Sequence, residues 1–256
     1  MYRVERTARR RVRALTYVKC RARSDGTQRP GQHDRSMTKW GWFGPVFVIA
    51  FVGSIAAGSA LTTGRTLYLP GASVADLRAF YSGNPGTVLA QSALQALAAA
   101  ALYLFGRGLY ATMWPDRPGR LGQVAVWGNR AAAGFLLLSV LTSLALAAAA
   151  GSASADVVAA LGKATLLCGG ALHLGGLAAL VTAASLAGLR GGTRTRWVFH
   201  YGRWAGPVIA VSLVSIAWPP VVKLEPLYRL LGIVWIVGVA VAAVRHRLDR
   251  VPRAGD

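Results

Sequence analysis

The stretch ATLLCGGALHLGGLAALVTAASLAGL, residues 164–189, contains no Lys, Arg, Asp or Glu. A helix rising about 1.5 Å per residue needs about 20 apolar residues to cross a hydrocarbon core of about 30 Å, and in lipid it must satisfy its own backbone hydrogen bonds. Residues 164–189 meet both demands. Five more blocks do the same: 44–61, 86–105, 131–150, 205–222 and the shorter 230–244. Soluble cores scatter apolar residues among charges at helical or strand spacing, whereas here the charges are swept into the gaps between blocks. The expected fold is therefore all-α, a polytopic transmembrane bundle of six spans.

The fourth block is the longest. As one helix from Asp156 to Leu189 it would extend about 50 Å, more than a bilayer, so Lys163 is expected to mark the outer boundary with its stem snorkelling upward. Gly169, Gly176 and Ala183 recur at seven-residue spacing and form a small-residue ridge where a neighbouring backbone can approach. Apart from Cys168, His173 is the one ionisable side chain near mid-membrane. It reads either as a neutral imidazole hydrogen-bonded to a polar residue of a neighbouring helix, or as a proton relay or ligand group.

The formal charge of +20 would suggest a nucleic-acid partner in a soluble protein. Its distribution points elsewhere. One set of gaps holds Lys39; Arg107, Arg117, Arg120 and Arg130; Arg190, Arg194, Arg196 and Arg203; and Arg245, Arg247, Arg250 and Arg253. The other set holds only Arg65, Arg78, Lys163, Lys223 and Arg229. Thirteen against five is the positive-inside pattern and places both termini in the cytoplasm. Arg outnumbers Lys 25 to 4 amid abundant Ala, which favours a GC-rich bacterium and its inner membrane. The expected partners are the bilayer itself and anionic headgroups at the cytoplasmic face, with no nucleic acid.

Residues 1–36 carry eleven Lys or Arg without a sustained apolar face and read as a basic disordered tail. Met37-Thr-Lys-Trp-Gly-Trp reads as an alternative start, with one cation and two interfacial Trp before the first span. The transmembrane domain then covers 37–250, and 251–256 form a cytoplasmic tail. The first span also resembles a signal peptide with a small-residue cleavage region, but its apolar character continues to Leu61, so it is read as retained.

Between the first two spans, Ser73 can cap a short outer amphipathic helix. Asp76 completes a capping-box pair and Gly83-Asn-Pro85 terminates it. Val74, Leu77, Phe80 and Tyr81 fall on one side, so the helix should lie in the interface or cover the bundle mouth. Gln91 and Gln95 stand one turn apart in the second span, and Ser139, Thr142 and Ser143 share a face in the third. Such stripes glue helices together or line a polar pathway. Residues 194–204 interleave cations with Trp and Tyr just before the fifth span, where interfacial anchors belong.

All nine acids fall in tails, loops or span ends, and no intramembrane carboxylate is visible. Of these, Asp76, Asp156 and Glu225 could meet at the outer rim. Glu225-Pro226 opens the sixth span with the acid and proline that suit a helix start. The four histidines are scattered, no His or Cys pair has metal-ligand spacing, and no phosphate-binding glycine loop is present, so neither metal nor cofactor is expected. Spans one to three show no inverted correspondence with four to six, and neither half shows the paired broken helices of transporter sites.

The segment 75–97, ADLRAFYSGNPGTVLAQSALQAL, continuing through LYLFGRGLY at 102–110, resembles six-span membrane proteins of GC-rich bacteria in which an outer amphipathic helix leads into an alanine-rich second span. The resemblance covers 37–250 in plan and implies six helices without a known activity. The leading functional expectation is a non-enzymatic inner-membrane protein serving small-molecule permeation or membrane interaction, with His173, Gln91, Gln95 and Lys163 as candidate binding residues. The alternative is a small intramembrane enzyme, an isoprenoid cyclase or lipid-modifying enzyme, with Asp76 and Glu225 as catalytic carboxylates at its outer mouth.

Overall fold

The computed structural model describes residues 39–64, 67, 69–115, 119–191 and 195–245. The expectations for residues 1–36, for Met37 and for the tail 251–256 lie outside them. The described residues form helices and the turns that join them, with no strand among them. A 3-10 turn Trp40–Trp42 leads into α1, Phe43–Ala60. There follow α2, Val74–Gly83; α3, Pro85–Met113; α4, Arg120–Ala149; α5, Ala155–Leu167; α6, His173–Arg190; α7, Arg196–Ala210; and α8, Glu225–Val244. Five helical stretches are long and apolar enough to cross a membrane: Trp40–Ala60, Pro85–Met113, Arg120–Ala149, Ala155–Arg190 and Pro219–Val244.

Several boundaries differ from the apolar blocks. α3 runs on past 105, and α4 begins well before 131. Arg107, Arg120 and Arg130 are all exposed on these helices. A surface cation ends a hydrocarbon stretch, but it does not end a helix, because Arg is a good helix former. The block 205–222 is no single α-helix. Its first part closes α7, a 3-10 stretch continues over Val211–Ile216, and a second 3-10 stretch, Pro219–Leu224, leads into α8. Pro207 and the Pro219-Pro220 pair lack amide donors, so α-helical bonding is interrupted around both.

The outer helix forms as its cap predicts. Asp76 N donates to Ser73 Oγ at 3.1 Å and Ser73 N to Asp76 Oδ2 at 3.0 Å, so both orphan amides are satisfied. Asn84 ends α2 and takes the Thr63 amide at 2.9 Å, which ties the preceding loop to the start of α3. Leu77 and Tyr81 are buried with Val88, Leu146, Ala150 and Val158, so α2 covers one end of the bundle.

Small residues set the helix spacing. A β-carbon at Gly128 on α4 would lie 2.7 Å from Leu180 N on α6, and one at Gly176 would lie 2.9 Å from Gly128 O. The two backbones touch there, as the ridge through Gly169 and Gly176 predicts. The main core gathers Phe47, Phe51, Leu102, Phe105, Leu136, Leu174, Leu177, Phe199, Ile209 and Trp235. Outside it, Ile49, Leu89, Leu141, Leu227 and Leu230 stand more than half exposed. An apolar outer surface of this kind suits lipid.

The two ends differ in charge. Trp42, Trp127, Trp197 and Trp204 are exposed toward the end formed by the starts of α1, α4 and α7 and the finishes of α3, α6 and α8, where Lys39, Arg107, Arg120, Arg190, Arg196, Arg203 and Arg245 also gather. The described part of the opposite end carries Arg78, Lys163 and Lys223.

Candidate functional site

The fourth span is not continuous. Five residues, Cys168–Leu172, adopt π-helical bonding between α5 and α6, and Gly170 leaves the helical region altogether at φ −98°, ψ −108°. Two adjacent glycines supply no side chains to hold the α-helical register, and a π-turn releases carbonyls from their usual partners. Those carbonyls are taken up by side chains from other helices. Ser139 Oγ on α4 donates to Thr165 O at 3.0 Å, and Arg229 Nη2 on α8 donates to Gly169 O at 3.0 Å.

Arg229 pairs with Glu225 one turn earlier, Nη2 to Oε2 at 3.3 Å, with side-chain exposures of 27% and 7% respectively. The carboxylate lies over Gly170. A β-carbon there would stand 2.5 Å and 2.6 Å from the two carboxylate oxygens, so glycine is what leaves room for the charge. The guanidinium also lies 5.5 Å from the centre of the Phe51 ring of α1. Phe51 stacks in turn on His173, centroids 6.2 Å apart and planes 20° apart. His173 is buried, and its Nδ1 is 2.8 Å from Ala132 O; since a carbonyl only accepts, that nitrogen carries the proton and donates. Arg229 Nε is buried without a partner among the described residues.

This cluster joins α1, α4, α6, α8 and the π-turn. A charge pair shielded from water depends on its geometry being kept, because loss of either member strands the other. Beside it, the 3-10 stretch Val211–Ile216 packs on the π-turn, and a β-carbon at Gly175 would meet Leu213 of that stretch at 2.7 Å. Ser212 Oγ in the same stretch is buried and has no partner among the described residues. Two interrupted segments, one in the fourth apolar block and one in the fifth, therefore meet.

The predicted site residues separate. His173 joins the cluster, through a backbone carbonyl rather than the polar side chain expected. Glu225 opens its helix as expected, and there it is a buried ion-pair member. Arg229 lies within α8 and is no loop cation. Asp76 is exposed and bonded to Ser73, so the two proposed catalytic carboxylates have separate partners. Gln91 and Gln95 are half-buried on α3 and make no hydrogen bond among the described residues; Gln91 lies against Gly58 of α1. Lys163 is exposed on α5.

The polar stripe of α4 acts between helices, beginning with the bond from Ser139 to the Thr165 carbonyl. Thr165 Oγ1 lies 3.0 Å from Thr142 Oγ1, and Ser143 Oγ lies 3.3 Å from the Tyr81 hydroxyl of α2. Burial pushes the Tyr81 phenol above its ordinary range, and the Ser143 hydrogen bond offsets part of this.

Arg229, Phe51 and Gly170 escaped the sequence reading. The spacing Glu225-x-x-x-Arg229 is the signal that could have found the pair, because positions four apart share a helix face. Comparison of the chain with protein-family models, curated proteins and solved structures gave no match.

Proposed function

We propose that the chain is a six-crossing protein of the bacterial inner membrane, with both termini cytoplasmic, that passes or binds a small polar solute at its broken fourth span. The observation carrying this reading is the Glu225–Arg229 pair held against Gly169 and Gly170 where the helix is interrupted. Interrupted helices beside charged groups are how many transporters place polar backbone within a membrane, tolerable only where protein or a cavity covers it.

The sixth crossing comes from α7 with its 3-10 continuation. Fifteen α-helical and six 3-10 residues rise about 34 Å together, enough for the hydrocarbon core. The gathering of cations and four Trp at one end supports placing that end in the cytoplasm against anionic headgroups.

The test is osmotic swelling of liposomes carrying the purified chain, challenged with glycerol, urea and small zwitterionic amino acids. At least one solute should enter faster than into empty liposomes, and Arg229→Met paired with Glu225→Leu should abolish the difference while leaving insertion intact. Rates equal to those of empty liposomes for all solutes would remove the permeation reading.

A further inference from the structure

At the basic end, remote from the helix break, a cavity of about 450 Å³ opens between the finish of α3, the start of α4, the finish of α6 and the start of α7. Arg120 and Arg190 line it from different helices, both exposed, and neither has an acidic partner among the described residues. Its described lining contains no acid. The floor is apolar. Phe199 seats its ring on Gly188, where a β-carbon would come within 2.6 Å, and Leu121 adjoins it. Trp114 forms a wall, its indole 3.3 Å from where a β-carbon would stand at Gly122, and it stacks on Tyr110 with centroids 5.5 Å apart. The N-cap of α4 is Gly119, which has no side chain to cap the first turn, so the amides there add partial positive charge to the same space.

We infer that this cavity holds the headgroup of an anionic phospholipid. Two arginines lining one cavity match the phosphodiester, to which Arg can offer paired donors. The apolar lining is what selects lipid over free phosphate: an inorganic ion would leave the half-buried Met113, Trp114 and Leu121 uncovered, whereas a glycerol backbone and first methylenes cover them. The level also suits a lipid, since Trp42, Trp127, Trp197 and Trp204 are exposed toward the same end, as interfacial tryptophans are. Basic pockets between spans on the cytoplasmic side bind headgroups by this chemistry. The site rests on the membrane reading of the chain and is independent of any permeation.

The experiment uses the full chain in a neutral detergent and follows its thermal midpoint as dioctanoyl phosphatidylglycerol, dioctanoyl phosphatidylcholine or inorganic phosphate is added. Phosphatidylglycerol should raise the midpoint saturably, while the other two leave it in place. The double variant Arg120→Gln with Arg190→Gln should weaken the apparent affinity about tenfold or more. Arg203→Gln, which removes an exposed cation of the same end outside the cavity, should stay within about twofold. Both are surface changes, and an unchanged midpoint without lipid verifies their folding. Three results overturn the inference: no response to phosphatidylglycerol, an equal response to inorganic phosphate, or an equal loss in Arg203→Gln. None of these bears on solute flux, so failure here and failure of the permeation reading are distinguishable.

Discussion

Glu225, Arg229 and Gly170 depend on one another, and their substitutions separate the contributions. Arg229→Met leaves a buried carboxylate unpaired and should cost about 3–5 kcal/mol, whereas adding Glu225→Leu should recover most of that loss. Gly170→Ala brings a β-carbon into the carboxylate and should cost more than about 1 kcal/mol, as overpacking does. Denaturation in detergent checks all three; a double variant as unstable as Arg229→Met alone would show that packing, not charge, holds the site. On the α4–α6 contact, Gly176→Leu should destabilise by more than about 1 kcal/mol, and His173→Leu by only about 0.6 kcal/mol if the imidazole serves solely as a bridge. At this scale the sequence was partly legible. His173 stood out because it was alone in an apolar block, while Arg229 hid at a block edge, where a cation is expected to face water.

The elements with explicit chemical punctuation were the readable ones. α2 has a cap, a capping box and a Pro85 stop, and all of them formed. Ser73→Ala should cost about 1 kcal/mol, seen as faster amide hydrogen exchange confined to the first turn of α2. The same helix carries a pH dependence. Burial favours the neutral Tyr81 phenol in the folded state, so its contribution is complete below the unfolded value of about 10 and is lost as pH rises through the higher folded value. Tyr81→Phe should abolish this alkaline loss; an unchanged alkaline transition would assign it to other groups. The break in the fourth span was hidden because Gly169-Gly170 fits a packing ridge as well as it fits a π-turn. The irregular fifth segment was hidden because hydropathy counts side chains and is blind to backbone bonding.

For the molecule as a whole, charge asymmetry in the gaps reappears as charge asymmetry between two ends, because alternating helices bring alternate gaps together. Reporter fusions after Leu61, Gly151 and Trp218 should read outside, and fusions after Tyr110 and Leu189 inside. An inside reading at Trp218 alone would leave five crossings and move the carboxyl terminus across the membrane. The last helix packs against the first, with Gly44 of α1 2.8 Å from Ala240 of α8 when given a β-carbon, and it also carries the guanidinium that takes Gly169 O. This has a consequence for biogenesis. Ribosomes deliver α8 after α1 and the π-turn, so until it emerges the freed carbonyl at Gly169 lacks its donor and α1, packed on α3, still lacks α8. Nascent chains stalled before residue 225 would present that unfilled polar gap to membrane quality-control proteases, and arrival of α8 is the event that ends their exposure.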